Sequence, residues 1–149
     1  MNNSKVPAIP VWGGLECTIN RLENTFHDQF EMNDFYSYPD LVTAINTCGI
    51  KTLRFPVLWE KHQPSNDTEI DWSWAEEQLH LLKSNNIDPI IGLLHHGSGP
   101  IFTNLLDKNF PALFAAYAAR VTAKFPWVNL YTPINEPLTT ARFSGLYGL

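Results

Sequence analysis

The chain has 149 residues, of which 44% are apolar and 17% charged, and its formal net charge is −5. That length holds one compact domain rather than two sizeable ones, and so sparse a charge points to faces that expect a partner or more chain. The acidic balance, with no basic stripe, excludes an electrostatic nucleic-acid surface, and no apolar run approaches a membrane span.

The start, from Met1 to Pro10, carries one positive charge and no long apolar core. No signal peptide is expected, and a cytoplasmic location follows by default. Residues 9–12 form the first apolar run, which leads to Trp12 and, past Gly13-Gly14, to Glu16. A helix follows, with Ser37 as N-cap, Asp40 as its capping-box partner, Leu41, Ala44, Ile45 and Cys48 on one face, and Gly49 as the stop. The second run, 50–55, carries Arg54 near its end. A polar loop around Pro64, Asn66 and Asp67 spans 60–71, and Asp71 caps a helix striped by Trp72, Ala75, Leu79 and Leu82. The third run, 88–94, ends at His95-His96. A long connection over 96–109, with a short helix at 102–107, reaches Asn109. Asn109 caps a helix striped by Phe110, Phe114, Tyr117 and Val121 and closed by Pro126. The fourth run, 128–132, leads to Asn135 and Glu136. Cys17 and Cys48 form no CxxC pair and read as two buried, reduced thiols.

None of the four apolar runs alternates cleanly, which marks strands covered on both faces, as in a parallel sheet. They start near 9, 50, 88 and 128, so each strand–helix unit takes about forty residues, the length of a parallel crossover. A barrel and a doubly wound sheet both begin this way. No GxGxxG follows the first strand, and Gly13-Gly14 and Gly97-Ser98-Gly99 are too short to cradle a phosphate.

Polar residues gather where each run finishes, and in a parallel barrel those ends converge on one face. Glu136 stands out beside an apolar strand. Half-burial there would favour its acid form and let it protonate a leaving oxygen; the plainer reading is a loop carboxylate in water. Asn135 offers a donor and an acceptor suited to a sugar hydroxyl, or else closes an Asx-type turn. Arg54, between Leu53 and Phe55, needs a carboxylate partner if buried, either Glu136 or Glu16 or a group outside the chain. His95 is a site histidine or a satisfied core histidine, and only one of His95 and His96 should face the axis. No HExxH occurs, so neither a metal nor another cofactor is expected. Trp12 and Trp59, near strand ends, either stack on a sugar ring or pack; Trp72, Trp74 and Trp127 pack.

The run Thr132-Pro133-Ile134-Asn135-Glu136-Pro137 resembles the Asn-Glu-Pro signature that ends strand four in family 1 glycoside hydrolases. Leu53-Arg54-Phe55-Pro56-Val57-Leu58-Trp59 resembles that family's second strand, and Gly92-Leu93-Leu94-His95-His96-Gly97 its third, with His96 in place of a tryptophan. The resemblance implies the N-terminal half of a TIM (β/α)8 barrel, about four β/α units over residues 1–149, ending after strand four. It implies a retaining β-glucosidase-like hydrolysis of O-glycosidic bonds, with Glu136 as general acid/base, Asn135 on the sugar 2-hydroxyl, Arg54 against the nucleophile and His95 on the sugar. Asn20 falls where the family has a sugar-binding glutamine. The nucleophile comes from strand seven, so the chain alone is expected not to turn over glycosides and to need the missing barrel half. The run from Trp12 to Arg21 is closer to a divergent subgroup whose barrel precedes a dTDP-4-dehydrorhamnose reductase-like domain. Two other readings stay beside this one: a carbohydrate-binding or structural module without catalysis, and a different barrel enzyme such as a sugar isomerase. Open sheet edges predict association and a poorly cooperative melt.

Overall fold

The computed structural model of the chain describes residues 9–15, 17–23, 25–37, 41–66 and 69–147. Four strands form one parallel sheet: β1 (Trp12–Gly14), β4 (Thr52–Pro56), β5 (Asp88–Leu94) and β6 (Leu130–Ile134). Their order across the sheet is β1-β4-β5-β6, so the sheet winds steadily in one direction. A doubly wound sheet would reverse; this one is the N-terminal half of a (β/α)8 barrel. Two further strands, β2 (Ile19–Leu22) and β3 (Thr25–Asp28), pair antiparallel as a hairpin that the apolar pattern did not announce.

Helices cover one face of the parallel sheet. They are α2 (Leu41–Thr47), α4 (Ser73–Ser84) and α5 (Phe110–Lys124), while short helices α1 (Gln29–Met32) and α3 (Trp59–His62) close loops and α6 (Pro137–Tyr147) leaves β6. Side chains alternate along a strand. Leu53, Phe55, Ile91 and Leu93 therefore meet Ala75, Leu79, Leu82, Tyr117 and Val121 from the helices in one core. Arg54, Ile90 and Thr132 face the opposite, concave side, where they line a groove of about 550 Å³ with Trp12 and Asn135. Against the hairpin, Ile19, Phe30 and Leu58 form a second, smaller core.

Several sequence expectations shift. Residues 9–11 are exposed and outside the ladder, so the first strand begins at Trp12. The fourth begins at Leu130, because Val128 closes a turn onto the Phe125 carbonyl at 3.0 Å. No helix forms at 102–107. There Asn104 and Asp107 side chains accept the amides of Leu106 and Asn109 at 2.9 Å each, diverting the backbone from helical bonding. Asn109 makes no side-chain cap, and the N-cap of α4 is Trp72 rather than Asp71, although Asp71, one residue earlier, accepts from Ser73 N at 2.9 Å. The buried side of α2 is Leu41, Val42 and Ile45; Ala44 and Cys48 are exposed and Cys17 is half-buried, so neither thiol is a core residue. Asp40, the expected capping-box partner of Ser37, and Glu16 both lie outside the described residues. The loop read as polar over 60–71 opens as helix α3, with Glu60 and His62 buried. Among the described residues, no helix is long and apolar enough to cross a membrane.

Candidate functional site

Parallel pairing brings the C-terminal ends of β4, β5 and β6 together. The ladder runs one residue past β6, where Asn135 N donates to Leu94 O at 2.9 Å, and this fixes Asn135 over the end of β5. Arg54, two residues from the end of β4, points to the same spot, and its Nη2 donates to Asn135 Oδ1 at 2.5 Å. A guanidinium only donates, so the amide oxygen must face Arg54 and the amide nitrogen must face away. That nitrogen lies 2.9 Å from His96 Nε2. His96 therefore accepts at Nε2 and carries its proton on Nδ1. One arginine thus sets an amide orientation and, through it, a histidine tautomer.

Glu136 Oε2 stands 3.9 Å from the same His96 nitrogen. The backbone brings the two side chains together by turning left-handed at both, with φ +55° at His96 and +43° at Glu136. Non-glycine residues rarely adopt that region, and such strain persists only where its surroundings enforce it. After Glu136, Pro137 opens α6, a position where its missing N–H costs nothing. Thr140 ties the turn, since its N donates to Glu136 O at 3.0 Å and its Oγ1 to Asn135 O at 3.2 Å.

The expected residues divide between two cavities. Trp12, Arg54 and Asn135 line the concave groove. Asn20, on β2, lines a second cavity of about 420 Å³ with Arg21, His96, Gly97 and Phe143. The bonded pair Asn135–His96 forms the wall between them. Glu136 sits at the rim. Its side chain is 60% exposed and lines neither cavity, so of the two readings open from sequence these residues show the carboxylate that faces solvent. His95 is half-buried, with its ring against the edge of His96 at 4.7 Å, and His96 is the histidine that meets Asn135. Strand alternation fails as a guide there because β5 ends at Leu94 and the chain turns at His96. Trp59 is 1% exposed and stacks on Tyr117 at 5.6 Å, so it packs and presents no face to a sugar. No group of three His, Cys, Asp or Glu side chains that could hold a metal occurs among the described residues.

Three residues of this region were not singled out by sequence reasoning as site residues. One is His96. Another is Arg21, whose Nη1 and Nη2 donate to Pro100 O at 3.0 Å and Thr103 O at 2.7 Å, clamping the hairpin to the loop after β5. The third is Glu60, 4% exposed, whose Oε1 accepts from Gly99 N at 2.9 Å while Oε2 is buried without a hydrogen-bond partner among the described residues. Burial pushes the Glu60 carboxyl up to about 7, against the pull of the Gly99 amide and the Arg21 charge. A Glu one position after Trp59 in a polar stretch carries no local signal of burial.

No family model matches the chain, and no curated protein matches it. Solved structures do. The family 1 β-glucosidase from Thermotoga maritima superposes with a TM-score of 0.67 at 22% identity, over 77% of this chain and 28% of that one. Its complex with cyclophellitol gives 0.68 at 21% identity. A β-glycosidase from Pyrococcus horikoshii gives 0.66 at 17% identity, over 90% of this chain and 36% of that one. At these identities the likeness is one of fold: the chain has the barrel fold of family 1 β-glucosidases, and spans about a third or less of those structures' length.

Proposed function

We propose that the chain forms the acid/base half of a retaining glycoside hydrolase-like barrel acting on O-glycosidic bonds. The observation that supports this best is the bonded series Arg54–Asn135–His96, laid across the ends of three parallel strands with Glu136 at 3.9 Å. Asn135 presents its amide to a sugar hydroxyl, with Asn20, His95 and Trp12 as further contacts around the two cavities. Glu136 gives its proton to the departing glycosidic oxygen and, as a carboxylate, later takes one from the attacking water. Retention needs a second carboxylate about 5–5.5 Å from the first. Among the described residues no carboxylate lines either cavity. On this reading the nucleophile, held by Arg54, is supplied by barrel strands outside these 149 residues, and residues 1–149 are one incomplete domain. The likeness of Trp12 to Arg21 to the reductase-fused subgroup supports a parent protein in which a sugar-nucleotide reductase-like domain follows the barrel.

One observation favours a second reading. Glu136 is exposed at the rim, which suits a carbohydrate-binding module that kept the pocket without the chemistry. Incubating the chain, and a parent barrel that contains it, with an aryl β-glycoside separates the two. Hydrolysis by the parent that depends on Glu136, with none by the chain alone, supports the enzyme. Sugar binding by a parent that never hydrolyses supports the module. Glu136-dependent product release by the chain alone would overturn the missing-nucleophile account.

A further inference from the structure

Burying a carboxylate is unfavourable unless it is hydrogen-bonded, and Glu60 is only half satisfied: Oε1 has Gly99 N and Oε2 has no hydrogen-bond partner among the described residues. Its neighbours in sequence, Leu58 and Trp59, are buried apolar residues, so an apolar side chain would suit that position better for packing alone. The loop after β5 is built around Glu60. A methyl group at Gly97 would collide with Glu60 Oε1 and stand 2.9 Å from the Ile19 carbonyl oxygen, so the backbone there lies directly on the carboxylate and needs glycine. Gly99, the residue bonded to Glu60, has φ +84°, again a glycine conformation. From the hairpin side Arg21 holds Pro100 and Thr103. His96, adjacent to Gly97, is the residue this pinned loop delivers to Asn135.

We infer that Glu60 is a positioning residue: its buried carboxyl group, accepting at Oε1, anchors the loop from Gly97 to Gly99 and so holds His96 in its left-handed turn, with Nε2 against the Asn135 amide. One short segment then sets both partners of Asn135. Arg54, on β4, grips its oxygen directly, and Glu60, six residues on in α3, places the histidine that receives its nitrogen. The chemical meaning of this arrangement rests on reading the mouth as a sugar site, but the geometry of His96 can be observed without any sugar.

The experiment is ¹⁵N nuclear magnetic resonance of the histidine rings in the full chain, with His96 assigned by a His96→Gln control. The expected ring signature is a protonated Nδ1 and an unprotonated, hydrogen-bonded Nε2. Glu60→Gln keeps an acceptor for Gly99 N and should keep that signature. Glu60→Met fills the space without an acceptor and should lose it, with the His96 shifts collapsing to those of a freely exchanging imidazole. Retention of the signature in a folded Glu60→Met protein overturns the inference, as does its loss in a folded Glu60→Gln protein. If Glu60→Met does not fold, Gly97→Ala decides. It displaces the loop with Glu60 intact, and retention of the His96 signature there overturns the inference. A parent barrel that neither binds nor cleaves glycosides would remove the proposed function and leave these outcomes unchanged.

Discussion

Arg54 Nη2 and Asn135 Oδ1 are 2.5 Å apart, joining β4 to the residue just past β6 across the intervening strand. This bond makes Asn135 asymmetric. Without it the amide could present either end to His96, and the Nε2 contact at 2.9 Å would no longer require one tautomer.

Arg54→Met should therefore do two things. Removing a charged hydrogen-bond donor should lower stability by about 1.5–3 kcal/mol, measured as a shift in the urea midpoint at unchanged slope. It should also leave the His96 ring in mixed tautomers. Arg54→Lys, a point charge without the planar fork, should recover part of the stability and little of the tautomer preference. Full retention of the tautomer in Arg54→Met would show that Asn135 is oriented by something else.

Glu136→Gln in a barrel completed by its remaining strands should lower the rate of glycoside hydrolysis by about 10²–10⁴. The loss should shrink for aryl leaving groups that need no proton. An equal loss for every leaving group would remove Glu136 from the acid role.

The response to pH should come from two buried groups that oppose each other. Burial pushes Glu60 up to about 7 and holds His62 down to about 4, even though His62 Nδ1 bonds the Asp71 carbonyl at 2.6 Å. Between 4.5 and 7 the folded chain keeps a Glu60 proton that the unfolded chain has lost, so this contribution falls as pH rises. Between 6.5 and 4 the unfolded chain takes a proton that His62 refuses in the fold, so that contribution falls as pH falls. The two slopes offset each other below 6.5 and leave a shallow profile. Glu60→Gln removes one of them, and denaturation midpoints should then rise with pH between about 4 and 6.5 more steeply than in the unaltered chain. Parallel profiles for the two proteins would exclude this account.

The two thiols should separate by reactivity. Cys48 is exposed at the end of α2, while Cys17 is half-buried and its thiol is pushed up by burial and by the Asp28 charge. A maleimide in modest excess at neutral pH should label Cys48 first, and peptide mapping of the singly modified chain checks it. Earlier labelling of Cys17 would contradict the placement of the hairpin.

The parallel strands were legible because their runs are apolar without clean alternation, the pattern of parallel rather than half-solvated antiparallel strands. The 88–94 run is the clearest case, since β5 has those same limits. Arg54 and Asn135 were each legible as strand-end residues because strand ends in parallel sheets converge, but their bond to each other was not, since the sequence pointed to a carboxylate as the partner of Arg54. The hairpin was not, since its turn at Glu23 adopts φ +56° without the glycine that usually marks such a turn. Glu60 was not, because its burial depends on Gly97 and Gly99, nearly forty residues away. His96 was missed for a geometric reason: strand alternation does not extend past Leu94, so it could not show that His96 turns back to meet Asn135.

The Arg21 clamp has a consequence for how a ligand is received. Its two donors are committed to carbonyls 79 and 82 residues along the chain, so the hairpin cannot swing outward without stranding both acceptors. The cavity shared by Asn20 and His96 is thus walled before anything arrives. Whatever binds there meets a hairpin wall already tied in place, so ordering that wall adds little to the entropic cost of association.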